Sequence, residues 1–231
     1  MKKITLSSEL AYLLHIIILS FAVAMLSCVN FGLSMIVSPA FIVSEWLPFL
    51  TFGQAEYIVQ GILFVLMCFL LRRFRLTYLF AFLTGIIYGG VLDFWRAVIP
   101  HFNPDITVPG SLPLTLRCVY FVLGIILTTF SIALAFRSYV YPQVYDFFVK
   151  AVSSGLNVNR NRFKLVFDFS FLLLACVLTL AVFGKFVGVG VGTIVMSFIN
   201  GPAIGFFDKL LGKFFEFKSS FPKIEKYFDL Q

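Results

Sequence analysis

Six long apolar runs dominate the sequence and are separated by shorter polar or proline-containing segments. Each approaches the roughly 20 residues that a helix needs to cross a bilayer. The runs are Leu10–Phe31, Tyr57–Leu71, Leu76–Ile99, Leu114–Phe136, Leu165–Phe183 and Gly188–Phe207. Backbone groups in lipid must be paired within the chain, and these runs are about twice the length of a barrel strand. The pattern therefore predicts an all-α membrane bundle of six transmembrane helices in a single integral membrane domain.

Composition points in the same direction. Of the 231 residues, 60% are hydrophobic and 13% are charged, whereas a soluble domain has about a quarter charged residues. The excess apolar surface must face lipid, which excludes a cytosolic enzyme, a disordered chain and a small secreted disulfide scaffold. The four cysteines lie one to an apolar run without metal-ligand spacing, so we expect no metal, cofactor or disulfide framework.

The cationic residues predict the orientation. With the amino terminus inside, 15 of the 18 Lys and Arg residues lie on the inner side, and only Arg96, Arg117 and Lys185 lie outside. Cytoplasmic loops carry an excess of Lys and Arg, so both termini are expected in the cytoplasm. The formal charge of +7 is explained by this asymmetry and by anionic headgroups, without a nucleic-acid partner.

Two segments outside the six runs have a distinct pattern. Residues 34–51 are apolar but contain Pro39 and Pro48, and they fit either a re-entrant helix or an interfacial loop. Residues 212–231 are rich in Lys and Phe, which predicts an amphipathic cytoplasmic tail on the inner headgroups.

The third and sixth runs share a spaced pattern that indicates an internal repeat. Phe82, Gly85 and Gly89 of the third run have the same spacing as Phe198, Gly201 and Gly205 of the sixth run. An aspartate then follows in each case, Asp93 three residues after Gly90 and Asp208 three residues after Gly205. Two copies of three spans, at about 10–99 and 114–211, would have opposite orientations, as in many transporters. We then expect the Gly85/Gly89 and Gly201/Gly205 faces to pack together. The alternative is that such spacing only marks closely packed helices.

The clearest candidate for substrate binding is Asn200-Gly201-Pro202, in the middle of the sixth run. Proline removes a backbone donor and frees a carbonyl, and broken helices expose backbone groups that bind substrates or ions. A kink that only serves packing, with Asn200 bonded to a neighbour, is the other interpretation.

Further candidates are ionisable or polar residues at membrane depth. Asp93 and Arg96 share a helix face, and Arg117 begins the next run at similar depth, so the three predict either a structural ion cluster or a substrate gate. Glu56 and Gln60 share a face and are expected to line the same cavity as the sixth run.

Two other residues are expected to have structural roles. Asp168 is expected to pair with Arg162 or Lys164, and His15 to be a bonded structural histidine. No nucleophile–base pair or phosphate-binding loop is present in the sequence, so we expect no enzymatic activity.

Three short motifs resemble the YczE/YitT-type multi-pass membrane proteins of bacteria. They are Gly190-x-Gly192-Thr193 followed by Gly201-Pro202, Ser38-Pro39 after the first run, and Asp93 followed by Pro100. The resemblance covers about residues 13–207 and implies a bacterial plasma-membrane protein of the kind often suspected of transport. Ala40 and Phe41 replace the aromatic and acidic residues that usually follow Ser-Pro in that family.

Taken together, these patterns favour a small secondary transporter or permease for an unknown small molecule or ion. The alternative is a non-transporting scaffold or accessory subunit that steadies a partner enzyme. The expected partners are the lipid bilayer, the unknown solute, and either a second copy of the chain in a homodimer or a partner membrane protein. A membrane-embedded enzyme lacks a catalytic constellation in this sequence.

Overall fold

A computed structural model describes residues 4–221, which form eight α-helices and two short β-strands. The helices are α1 (Ser8–Val29), α2 (Ser38–Trp46), α3 (Phe52–Leu71), α4 (Leu79–Val98), α5 (Leu114–Ala135), α6 (Val144–Gly155), α7 (Arg160–Phe183) and α8 (Val191–Phe214). A 3-10 turn at Leu76–Tyr78 precedes α4, and the strands are β1 (Ile4–Ser7) and β2 (Phe215–Lys218).

Six of the described helices are long and apolar enough to cross a membrane: α1, α3, α4, α5, α7 and α8. The six predicted long helices are therefore confirmed, although their ends differ from the apolar runs. Helix α3, which corresponds to the second apolar run, begins at Phe52 because Thr51 and Gln54 form a capping box. In it, the Thr51 hydroxyl accepts from the Gln54 backbone amide at 3.1 Å. Capping by polar residues extends a helix beyond its apolar run.

The helices follow the order long, short, long, long, and this order then occurs a second time. The first long helices of the two halves, α1 and α5, pack along each other. Helix α4 lies against α1, and α8 lies against α5. Both short helices, α2 and α6, lie against α3 and α7. Residues 34–51, for which the sequence allowed either a re-entrant helix or an interfacial loop, contain the short helix α2. Its residues from Ser38 to Ile42 are buried.

Burial is concentrated in α1, and apolar side chains face outward on the later helices. Ala22 and Ala24 of α1 are fully buried, and Met25 is 4% exposed. By contrast, Leu173 of α7 is 66% exposed and Phe198 of α8 is 76% exposed. Large exposed apolar faces are typical of surfaces that contact lipid or other helices.

The glycine-rich run before α8 packs against the segment that leads into α2. The Gly192 amide donates to the Phe31 carbonyl at 2.7 Å, and the Leu33 amide donates to the Gly188 carbonyl at 3.0 Å. A Cβ at Gly190 would lie 2.6 Å from the same Phe31 carbonyl oxygen. Glycine is required here because two stretches of backbone meet directly.

The predicted contact between the two glycine faces is wrong. A Cβ at Gly89 would lie 2.6 Å from the Gly53 carbonyl oxygen of α3, and a Cβ at Gly85 would overlap Gln60 of the same helix. Gly201 and Gly205 have no atom within 4 Å of an added Cβ. Glycine spacing identifies a helix face suited to close packing, but it does not specify the partner helix.

The beginning of the predicted tail is not a separate amphipathic segment. Helix α8 continues to Phe214, and β2 then pairs in parallel with β1, Ile4 opposite Phe215. The Glu9 carboxylate of α1 accepts a bond from the Tyr139 hydroxyl at 2.8 Å and from the Ser220 amide at 3.0 Å. Residues 222–231 of the predicted tail lie outside the described residues.

Candidate functional site

Helices from both halves and the segment before α2 enclose a cavity of about 230 Å³. Its walls are mainly apolar, with side chains such as Leu19, Val23 and Met196. Polar or ionisable side chains also line it: His15, Ser34, Tyr88, Thr128, Gln143, Tyr145, Asp146, Lys164, Asp168, Ser197 and Asn200. Both short helices begin here, since residues 33–37 lead into α2 and the residues at the start of α6 are in the lining.

One ring nitrogen of His15, on α1, has no hydrogen-bond partner among the described residues. The residue is 3% exposed, and its Nδ1 lies 2.9 Å from the Ser131 carbonyl oxygen and 3.0 Å from Ser131 Oγ. Ser131 Oγ donates its own proton to the His15 carbonyl at 2.7 Å. Both groups facing Nδ1 are therefore acceptors, so we assign the ring proton to Nδ1. Nε2 is then an acceptor, and it has no partner among the described residues.

Three charged side chains meet on the cavity wall. Lys164 Nζ lies 3.5 Å from Asp168 Oδ1 on the next turn of α7 and 3.5 Å from Asp146 Oδ1 on α6. The predicted pairing of Asp168 with a basic residue one turn away is confirmed for Lys164. The side chains are 39% exposed for Lys164, 28% for Asp146 and 25% for Asp168, so water screens their attraction. One ammonium between two carboxylates leaves a net charge of −1.

Asn200 lies in the cavity wall on α8, as does Gly201. The Asn200 Oδ1 atom is buried and has no hydrogen-bond partner in the described residues. The predicted interruption of this helix is wrong, because α8 runs without a break from Val191 to Phe214 with Pro202 inside it. Proline costs the helix one backbone hydrogen bond but does not necessarily end it.

Glu56 and Gln60 of α3 form a buried polar network behind the cavity. Both residues are fully buried, and neither lines the cavity, so the expectation that they line it is wrong. Glu56 Oε2 accepts from the Tyr145 hydroxyl at 3.0 Å and from Gln60 Nε2 at 3.4 Å. Gln60 Oε1 accepts from the Val144 amide at 3.3 Å, and Gln60 Nε2 also lies 3.4 Å from Gln143 Oε1. The network therefore ties α3 to the start of α6.

Asp93 does not form the predicted cluster with Arg96 and Arg117. Its Oδ1 accepts from the Gly53 amide at 2.8 Å, and its Oδ2 accepts from the Thr51 hydroxyl at 2.5 Å. The ion pairs of the described residues include none between Asp93 and an arginine. Asp93 instead caps the amino terminus of α3, where unpaired amides favour an anion.

The two arginines of that predicted cluster lie against aromatic rings. The Arg96 guanidinium carbon lies 5.3 Å from the ring centre of Phe52, and that of Arg117 lies 4.6 Å from the ring centre of Phe31. Arg117 Nε also donates to the Val29 carbonyl at 2.7 Å, next to the end of α1. Such cation–π contacts stabilise the ends of neighbouring helices. Neither arginine lines the cavity.

Of the predicted binding residues, the cavity includes Asn200 and Gly201 but not Pro202, Asp93, Arg96, Arg117, Glu56 or Gln60. Sequence reasoning missed Asp146 as a member of the site and gave His15 and Asp168 only structural roles. The signal that was available was the four-residue spacing of Lys164 and Asp168 at the start of an apolar helix. The described residues contain no group of three or more His, Cys, Asp or Glu side chains arranged to hold a metal ion.

Comparison with known proteins gives one match. The model of the family of unknown function DUF6198 matches residues 6–209, a range that begins in β1 and extends into α8. No curated protein and no solved structure matches the chain significantly.

Proposed function

The chain belongs to this family of unknown function, and we propose that it is a small secondary transporter of the bacterial plasma membrane. The observation that carries the proposal is the cavity of about 230 Å³, which is lined by both halves of the chain. Its lining residues include charged side chains, and others have polar atoms without a hydrogen-bond partner among the described residues. Ionisable residues within a membrane bundle are expensive and generally functional. The cavity is the proposed path of a small solute.

We also propose that the two halves are inverted repeats. The order long, short, long, long in α1–α4 recurs in α5–α8, and the contact of α4 with α1 corresponds to that of α8 with α5. The contact of α6 with α3 likewise corresponds to that of α2 with α7. Three spans in each half reverse the direction of the second copy, an arrangement that recurs in secondary transporters with a site between the halves.

Within this arrangement, α2 and α6 are re-entrant helices. They have 9 and 12 residues, so at 1.5 Å per residue they extend roughly 14 and 18 Å, less than the roughly 30 Å hydrocarbon thickness. The excess of Lys and Arg on one side supports cytoplasmic termini. The resemblance of Gly190-x-Gly192-Thr193 and Gly201-Pro202 to YczE/YitT-type proteins supports the plasma-membrane location.

Thiol accessibility tests the proposal without knowledge of the solute. Asn200→Cys is introduced into a variant whose four native cysteines are replaced by alanine, and a membrane-impermeant maleimide is added to spheroplasts or to inside-out vesicles. A transport pathway predicts labelling of Asn200→Cys from both faces. The matched control is Phe198→Cys, on the outward face of the same helix, for which no labelling is expected. Labelling of Asn200→Cys from one face or from neither would contradict the transporter.

The scaffold remains a second candidate because one face of α8 has no partner within the described chain. Gly201 and Gly205 are four residues apart with no atom within 4 Å of an added Cβ, and this spacing favours close contact between membrane helices. A scaffold built on this face predicts that Gly205→Leu disrupts a complex that is stable in mild detergent. Purification of the wild-type protein as a single chain without a partner would contradict the scaffold.

A further inference from the structure

We propose that the cavity binds a small organic cation, specifically a protonated primary amine with an apolar body. This inference rests on the proposed function because it assigns a chemical class to the solute of the same cavity. It is carried by three independent features of the cavity wall, namely its charge, its unpaired acceptors and its apolar surface.

The first feature is the charge of the wall. Asp146 and Asp168 provide two carboxylates, and Lys164 provides one ammonium at 3.5 Å from each. These are the Asp, Glu, Lys and Arg residues among the side chains that line the cavity, so its net charge is −1. In a cavity with apolar walls, a cation is attracted by this charge and an anion is repelled.

The second feature is a pair of unpaired acceptors that are independent of the carboxylates. His15 is 97% buried (3% exposed), and Ser131 holds its Nδ1 as a donor, so Nε2 is an acceptor on the opposite side of the ring. His15 Nε2 and Asn200 Oδ1 are both buried without a partner in the described chain, and both residues line the cavity. A primary ammonium has three donors and no acceptor, which suits these atoms.

Two further buried polar atoms without a partner in the described part of the chain belong to residues that line the cavity. The Tyr88 hydroxyl can either donate or accept, and Gln143 Nε2 is a donor. Gln143 Oε1 already faces Gln60 Nε2 at 3.4 Å, so its amide adds a donor but no free acceptor. The wall has two carboxylates and two neutral acceptors, so these neutral donors do not change the preference for a cation.

The third feature is the apolar remainder of the wall. Apolar side chains from three helices line the cavity: Leu19, Val23 and Leu26 of α1, Ile132 of α5 and Met196 of α8. Buried apolar surface contributes about 25 cal/mol per Å², so an alkyl body is favoured over a polar one. The volume of about 230 Å³ limits the solute to a small molecule.

A set of probes of similar size and different charge tests the inference. The full-length protein, purified in detergent, is heated with n-butylammonium, butyrate or 1-butanol, and the unfolding temperature is followed by tryptophan fluorescence. We expect n-butylammonium to raise the unfolding temperature and the other two to leave it unchanged. Tetramethylammonium, a cation without N–H donors, is expected to bind at least threefold more weakly than n-butylammonium. Stabilisation by butyrate, or no stabilisation by n-butylammonium, would overturn the inference.

Charge variants provide a second readout. Asp168→Asn is expected to weaken n-butylammonium binding by about tenfold, whereas Lys164→Met, which removes the competing ammonium, is expected to strengthen it by about tenfold. The matched control is Asp105→Asn, in an exposed loop outside the cavity, which should leave the affinity unchanged. Equal affinities in all three variants would overturn the inference. The thiol-labelling result does not depend on solute charge, so failure of the amine assignment is distinguishable from failure of the transporter proposal.

Discussion

Replacement of two adjacent glycines of α4 by alanine is predicted to have opposite effects on the stability of the protein. At Gly89 an added Cβ would lie 2.6 Å from the Gly53 carbonyl oxygen and 3.1 Å from its carbonyl carbon. At Gly90 an added Cβ would have no atom within 4 Å. Both residues lie within the same helix and have ordinary helical backbone angles. Only their packing distinguishes them.

The magnitudes follow from these distances. An ordinary C···O contact is at least about 3.3 Å, so Gly89→Ala forces α3 and α4 apart by roughly 0.7 Å. Overpacking of this kind costs about 1–3 kcal/mol. The shift would also lengthen the 2.8 Å bond between the Gly53 amide and Asp93. Gly90→Ala replaces a flexible glycine within the helix and should raise the free energy of unfolding by about 0.5–1 kcal/mol.

The expected difference between the two variants is therefore roughly 2–4 kcal/mol in the free energy of unfolding. It can be measured by titrating each purified variant in mixed micelles with sodium dodecyl sulfate and following helix content by circular dichroism. Gly201→Ala is a further control, since its Cβ also meets open space. If Gly89→Ala were as stable as Gly90→Ala, the close approach of α3 and α4 would be refuted.

Three other substitutions are predicted to lower the free energy of unfolding in the same titration. Asp93→Ala removes both bonds at the start of α3 and should cost about 2 kcal/mol. Tyr145→Phe removes the 3.0 Å hydroxyl bond to the buried Glu56 carboxylate and should cost about 1–3 kcal/mol. Arg137→Gln breaks the 2.7 Å ion pair with Asp208, whose side chains are about one-third exposed, and should cost about 1 kcal/mol.

Each of these predictions has its own contradicting result. The capping role fails if Asp93→Ala unfolds at the same detergent fraction as the wild type. If Tyr145→Phe left the free energy of unfolding unchanged, the stabilising role of the buried network would be contradicted, because Glu56 would then not depend on the Tyr145 hydroxyl. The partly exposed ion pair predicts that the cost of Arg137→Gln shrinks in high salt, and a salt-independent cost would contradict it.

The sequence alone was sufficient to predict the six long helices. Their apolar runs are continuous in the chain, and the length needed to cross a bilayer is a local property that requires no partner. The same holds for the i, i+4 pairing of Lys164 with Asp168, since both lie on one helix. Polar helix caps such as Thr51 and Gln54 are also encoded locally, which explains why α3 begins before its apolar run.

Only the tertiary structure decided which faces meet. A glycine pattern marks a close-packing face but not its partner, so Gly89 packs on Gly53 of α3 while Gly205 of α8 stays open. Asp93 was predicted to form a cluster with Arg96 and Arg117 because the three lie at similar depth. Its partner is instead the start of α3, 40 residues earlier in the chain.

The cavity likewise depends on contacts between distant elements. His15 of α1, Asp146 of α6 and Asn200 of α8 come together only when both halves are folded. No periodicity within one helix encodes that meeting, because the pattern of a helix specifies which side is buried but not what it is buried against.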